Sequence, residues 1–301
     1  MTMFAEQSKI SDNGLLHELR RAVDALEPAG RAYAVARIAV PSRRAELLLR
    51  LDPALDASYW AVPGGYEHVA LGSLATLSSA GAERFESTGD QARRLFEQFP
   101  GGTSPRLFGG FAFQAGRARS DAWRPFGEGR FVLPRLSYER KGEDAELQLV
   151  LPAAELANPE SRARAVHSAE RLLISLQEDV EEPPSEPGPV TLDERPDAEF
   201  VALIGRIRAA IEQGELEKLV LARRVGLTLP RPIDSARVLR RLSAIAPECV
   251  RFAFRTEGTT FLGATPERLV DKCGTTFETD ALAGSIRMGE APLRLMESQK
   301  E

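Results

Sequence analysis

The chain is poor in the residues that usually mark metal and redox chemistry. Among its 301 residues there are only two cysteines, Cys249 and Cys273, and three histidines, His17, His68 and His167, each isolated. The lack of CxxC spacing and of a His/Cys cluster argues against catalysis at a protein-held zinc. If a metal takes part, carboxylates must hold it, which points to magnesium. The two cysteines read as buried thiols of a reducing compartment rather than a disulfide. His17 and His167 fall among charged residues in helical patterns, where a solvated side chain is the plain reading. Excess basic charge is also lacking: the formal net charge is -5 and no basic stripe offsets it, which argues against a nucleic-acid or anionic-membrane binder. No segment approaches the ~20 consecutive apolar residues of a membrane span. The first residues lack a cationic stretch followed by an apolar run, so no secretion signal is expected, and the chain reads as cytoplasmic.

What is present is an ordinary globular composition, 43% hydrophobic and 28% charged. Apolar residues at helical spacing predict helices over 11–28, 89–99, 160–178, 197–213 and 235–246. Strand patterns occupy 32–40, 44–50, 59–62, 105–113, 131–134, 145–151 and 218–228, and 250–255 with 259–263 read as a hairpin across Glu257-Gly258. Gly109-Gly110 lies inside an aromatic strand with no helix after it, which suggests a close backbone approach rather than a phosphate loop. Glu181-Glu-Pro-Pro-Ser-Glu-Pro-Gly-Pro189 has a composition that cannot build a core and reads as an exposed connection. Many strands adjacent in sequence favour an α+β, sheet-rich architecture. The expected organisation is an N-terminal half over 1–180, a connection over 181–196 and a second half over 197–301.

Two segments carry candidate chemistry. Lys218-Leu-Val-Leu-Ala-Arg-Arg224 puts a lysine at the start of an apolar strand. It is either a snorkelling side chain or a base whose pKa falls on desolvation. Phe261-Leu-Gly-Ala-Thr-Pro-Glu-Arg-Leu269 puts Glu267 just after a strand, in a Thr-Pro-Glu sequence suited to a helix start. Its carboxyl is either a helix-start acid favoured by the dipole or a general acid facing a cleft. Spacing alone does not choose in either case.

Taken with Asp280-Ala-Leu-Ala-Gly-Ser285, these strings resemble isochorismate synthases of the menaquinone and siderophore type, within the chorismate-utilising superfamily. More weakly, Leu107-Phe-Gly-Gly-Phe-Ala-Phe113 and Phe131-Val-Leu-Pro134 resemble its N-terminal half. The resemblance implies the large anthranilate synthase component I-like fold. It implies a magnesium-dependent isomerase for chorismate, with Lys218 activating water for attack at C2 and Glu267 protonating the departing 4-hydroxyl. Backbone N–H groups at Gly284 and Ser285 would face a substrate carboxylate. Salicylate synthases retain this lysine and are the nearest rival, whereas relatives that use ammonia usually differ there. Ser298-Gln-Lys-Glu301 is similar to the start of a Ser-x-Lys-[Asp/Glu]-x-x-Glu-His element whose glutamate is a magnesium ligand and would fall just beyond Glu301. The expected metal ligands therefore lie outside this sequence, the C-terminal part of the fold is expected to be missing, and an inactive fragment is the third reading.

Overall fold

The computed structural model describes residues 12–27, 30–103, 105–116, 120–177, 188, 190–193 and 197–280. They fall into two compact units, one formed by residues 1–180 with 235–301 and the other by 181–234.

The first unit is built on an eight-stranded sheet, ordered β1-β6-β5-β3-β2-β9-β10, with β4 paired to β5. The strands are β1 (Tyr33–Ala39), β2 (Ala57–Val62), β3 (Tyr66–Ser79), β4 (Phe108–Phe111), β5 (Gly129–Lys141), β6 (Asp144–Pro152), β9 (Val250–Thr256) and β10 (Thr259–Thr265). All pairings within it are antiparallel, so short turns connect sequence neighbours such as β2 and β3, where Gly64 and Gly65 adopt positive φ. β9 pairs with β2, Tyr59 opposite Ala253, so residues 250–265 extend the sheet that begins at Tyr33.

Alternation sorts the two faces. Ala34, Ala36 and Ile38 of β1, Tyr59 and Ala61 of β2, Val69 and Leu71 of β3, and Leu147, Leu149 and Leu151 of β6 are all buried in one core. Helix α1 (Asp12–Asp24) covers it with Leu15, Leu19 and Val23, and α4 (Pro159–Gln177) with Ala169, Leu172, Leu173 and Leu176. The spacing is that of one helical face. The other face holds a smaller cluster in which Leu95 and Phe99, from and just after α2 (Arg84–Phe96), pack with Leu77 and Leu133. A short α3 (Ala153–Ala157) precedes α4.

Several local expectations are met. The β9–β10 hairpin turns at Glu257 (φ 49) and Gly258 (φ 74), two positive-φ residues as a two-residue hairpin requires. Gly109 has no room for a side chain, because a Cβ there would sit 1.9 Å from the Arg130 carbonyl oxygen. Others are corrected. Residues 44–50 are not a strand: Ala45–Arg50 is a 3-10 helix, because Ala45, Leu48 and Leu49 turn inward together instead of alternating. The Arg255 guanidinium on β9 closes that helix by donating to the carbonyls of Leu49, Asp52 and Leu55. The cysteines are free, but Cys273 is exposed and Cys249 half-buried, so neither is a core thiol.

His68 is an interior residue that its surrounding sequence did not mark. It is fully buried, stacked on Phe108 with ring centroids 4.2 Å apart, and neither ring nitrogen has a hydrogen-bond partner. Glu139 lies 3.7 Å away and is itself paired with Arg106 at 2.9 Å. Burial, helped by the Arg106 charge, drives the His68 pKa from 6.5 to about 3. Between those values the unfolded chain holds a proton that the native chain does not. Stability from this group is therefore complete above pH 6.5 and is lost as pH falls toward 3, at about 1.4 kcal/mol per pH unit. Burial raises the Glu139 pKa, so its native carboxyl takes up a proton first and offsets part of the loss at the acidic end. Urea denaturation should show wild-type protein losing about 2 kcal/mol more between pH 7 and 5 than His68→Phe. Equal losses would contradict the assignment.

The second unit contains α5 (Asp197–Glu212) and a two-stranded ribbon of β7 (Thr191–Asp193) and β8 (Gly226–Thr228). Gly214, at φ 75, follows the helix as its stop. None of the described residues of this unit is fully buried. The stripe expected inward on α5 is only half covered, with Phe200, Leu203 and Ile207 half-buried and Ile204 and Ile211 exposed.

Candidate active site

Glu267 is positioned by the β9–β10 hairpin. The ladder runs from Thr259 opposite Thr256 to Thr265 opposite Val250, and along it Gly263 brings the backbone against the Phe252 ring, 3.1 Å from where a Cβ would stand. The strand ends at Thr265. The helix start expected from Thr-Pro-Glu does not form. The Thr265 hydroxyl accepts the Glu267 N–H at 3.1 Å, a side-chain turn that gives this donor a local partner. The Glu267 side chain is exposed, at the end of a strand anchored in the large sheet.

The next residue does work that sequence reading missed. Arg268 donates to Asp280 at 2.9 Å and to Glu278 at 3.2 Å, with Asp271 3.7 Å away, and these carboxylates, Asp280 first, raise its pKa. The Thr279 hydroxyl donates to the Leu269 carbonyl at 2.8 Å. Between these ties runs the small hairpin of β11 (Asp271–Cys273) and β12 (Thr276–Glu278). The turn bearing Glu267 and the first residue of Asp280-Ala-Leu-Ala-Gly-Ser are thus clamped together across one guanidinium. An arginine followed by acids ten and twelve residues later was the available signal. Gly284 and Ser285 lie outside the described residues.

Lys218 belongs to the second unit. It does not start a strand: residues 215–225 have no regular structure, and the ribbon begins only at Gly226. Lys218 is exposed, and so is its neighbour Val220, at 82%. Nearby, Arg223 stacks over Phe200, 5.3 Å from the ring centroid. The two proposed catalytic groups therefore stand on different units.

Among the described residues no group of three or more His, Cys, Asp or Glu side chains is placed to hold a metal ion. The magnesium implied by the resemblance does not find a ligand set there.

A family model described as chorismate binding enzyme matches residues 38–300. The chain belongs to the chorismate-binding enzymes. It is 29% identical over 224 residues to isochorismate synthase MenF of Bacillus subtilis, covering 69% of this chain and 43% of that protein. It is 30% identical over 242 residues to the salicylate biosynthesis isochorismate synthase of Pseudomonas aeruginosa, covering 77% of this chain and 48% of that protein. Among solved structures, the menaquinone-specific isochorismate synthase MenF of Escherichia coli superposes with a TM-score of 0.59 at 24% identity, over 86% of this chain and 56% of that one. That likeness establishes the shared α+β fold. The chain spans about half the length of the curated relatives it matches. No helix among the described residues of this chorismate-binding chain is long and apolar enough to cross a membrane.

Proposed function

We propose that this chain supplies the general acid and general base of an isochorismate synthase. Chorismate would lose its 4-hydroxyl, protonated by Glu267, while water activated by Lys218 adds at C2 and the ring double bonds shift between the two events. One water enters and one leaves, so the reaction is an isomerisation that needs no redox partner. Backbone amides of Gly284 and Ser285 would receive a substrate carboxylate. No step runs through magnesium, for which the described residues offer no cluster.

The observation that carries the reading is the turn at Thr265–Glu267. It sets a carboxyl at the end of a sheet strand, where local hydrogen bonds hold the backbone and Arg268 fixes the adjoining loop. Such placement on a rigid element suits proton delivery to one atom of a bound ring. Membership of the chorismate-binding enzymes and the names of the relatives support the substrate. The test is product analysis with chorismate by NMR. Isochorismate as the sole product supports the proposal, whereas salicylate with pyruvate would assign the rival activity. A chain that melts cooperatively without any shift on adding chorismate and magnesium would mark it as inactive.

A further inference from the structure

Two polar atoms face each other inside the first unit with no hydrogen bond between them. His68 on β3 lies directly opposite Glu139 on β5, and its Nε2 stands 3.7 Å from Glu139 Oε1. Neither atom, nor His68 Nδ1, has a hydrogen-bond partner among the described residues. The separation is too long for a hydrogen bond, and orphaned buried polar atoms cost free energy. Both atoms are sealed from solvent, which leaves room for a proton but not for a ligand.

The same pair holds a strap, residues 105–111, against the sheet. Arg106 pairs with Glu139 Oε2 at 2.9 Å and donates to the Tyr66 hydroxyl. Phe108 stacks on His68, the ring planes 10° apart. Beyond these ties the strap has the four-residue ladder of β4 on β5. The charges around Glu139 come from every neighbouring strand. Burial foremost favours its protonated form; Arg106 opposes this, Glu146 across the β5–β6 ladder adds to it, and Arg37 on β1 opposes it again. Arg37 is itself 3.8 Å from Glu146. Tyr66, pushed up to about 12 by burial, stays a phenol, and Lys141 opposite it is exposed.

We propose that the strap is an acid-loosened latch: one solvent proton binds between Glu139 Oε1 and His68 Nε2, the carboxyl becomes neutral, and Arg106 loses its anionic partner. The proton sits on Oε1 and points at the Nε2 lone pair of the Nδ1–H tautomer, so both facing atoms gain a partner while the strap loses an ion pair. Phe108 and Phe111 wall a cavity of about 500 Å³ beside the sheet, so loosening exposes apolar rings. The device goes beyond the chorismate reaction and does not depend on it. Hydrogen exchange of the intact chain, read by mass spectrometry from about pH 7.5 to about pH 4 and corrected for intrinsic rates, tests it. Peptides spanning 105–111 should open about tenfold more readily at the acidic end, the scale of one lost charge-assisted hydrogen bond, while β1 and β6 keep their protection. Glu139→Gln, which cannot change charge, should show the loosened rate at every pH. His68→Phe keeps a ring on Phe108 but removes the acceptor of the proton, so the midpoint of loosening should fall by about one pH unit. Strap exchange that ignores pH, a midpoint unmoved in His68→Phe, or Glu139→Gln as protected as wild type at neutral pH would overturn the proposal. So would equal loss of protection in the strap, β1 and β6, which is acid unfolding of the whole unit.

Discussion

On the isochorismate synthase reading proposed above, replacing Glu267 by Gln is expected to lower the conversion of chorismate by about 10²- to 10⁴-fold, the range for loss of one positioned general acid. The substitution keeps size and hydrogen-bonding shape but removes the transferable proton. Because Glu267 is exposed and its local turn is made by its backbone N–H and the Thr265 hydroxyl, the fold should be untouched. The far-ultraviolet circular dichroism spectrum and the urea midpoint should match wild type while kcat collapses. Lys218→Ala should act similarly, through loss of the base. Retained kcat in either variant would remove that residue from the mechanism. A shared fall in stability would instead point to a structural role. The two variants should be far from additive when combined, since groups acting on one substrate fail as a unit.

The largest stability effect is expected at Glu67. This carboxylate is buried on β3, where it accepts the Ala45 N–H at 3.3 Å and pairs with Arg140 at 3.0 Å and Arg251 at 3.7 Å. Arg251 in turn donates to the Ser243 hydroxyl of α6 (Ser235–Ile245) at 2.7 Å. One acid thus ties β3, β5, β9, a 3-10 helix and a helix together. Glu67→Leu strands two guanidiniums in low-dielectric surroundings, and breaking a buried pair from one side typically costs about 3–5 kcal/mol. Glu67→Gln, which keeps an acceptor for Ala45 but drops the charge, should cost less. Urea titrations of the three proteins would measure this. A Glu67→Leu loss below about 1 kcal/mol, the scale of an exposed pair, would show that the network is not holding the unit.

How far the site was legible follows from the range of each cause. The Glu257-Gly258 turn and the strand leading to Thr265 are read locally, because positive-φ residues and alternating side chains are properties of a few neighbours. Arg268 went unread, since its partners come from the returning strand of a hairpin. The burial of His68 was equally hidden: the strand that carries it, β3, was not read at all, and Phe108, which stacks on it, arrives only when β4 pairs with β5.

The longer helices, most strands of the sheet though not β3, the close approach at Gly109 and the motifs of a chorismate-binding enzyme were legible in the order of the residues. All of these depend on periods of two or 3.6 residues or on residue identity at fixed spacing. Long-range contacts fixed the rest: residues 44–50 coil rather than extend, and Glu67 and His68 lie inside. Those outcomes depend on which partners lie across the sheet: Arg255 reaches back to Leu49 across 206 positions.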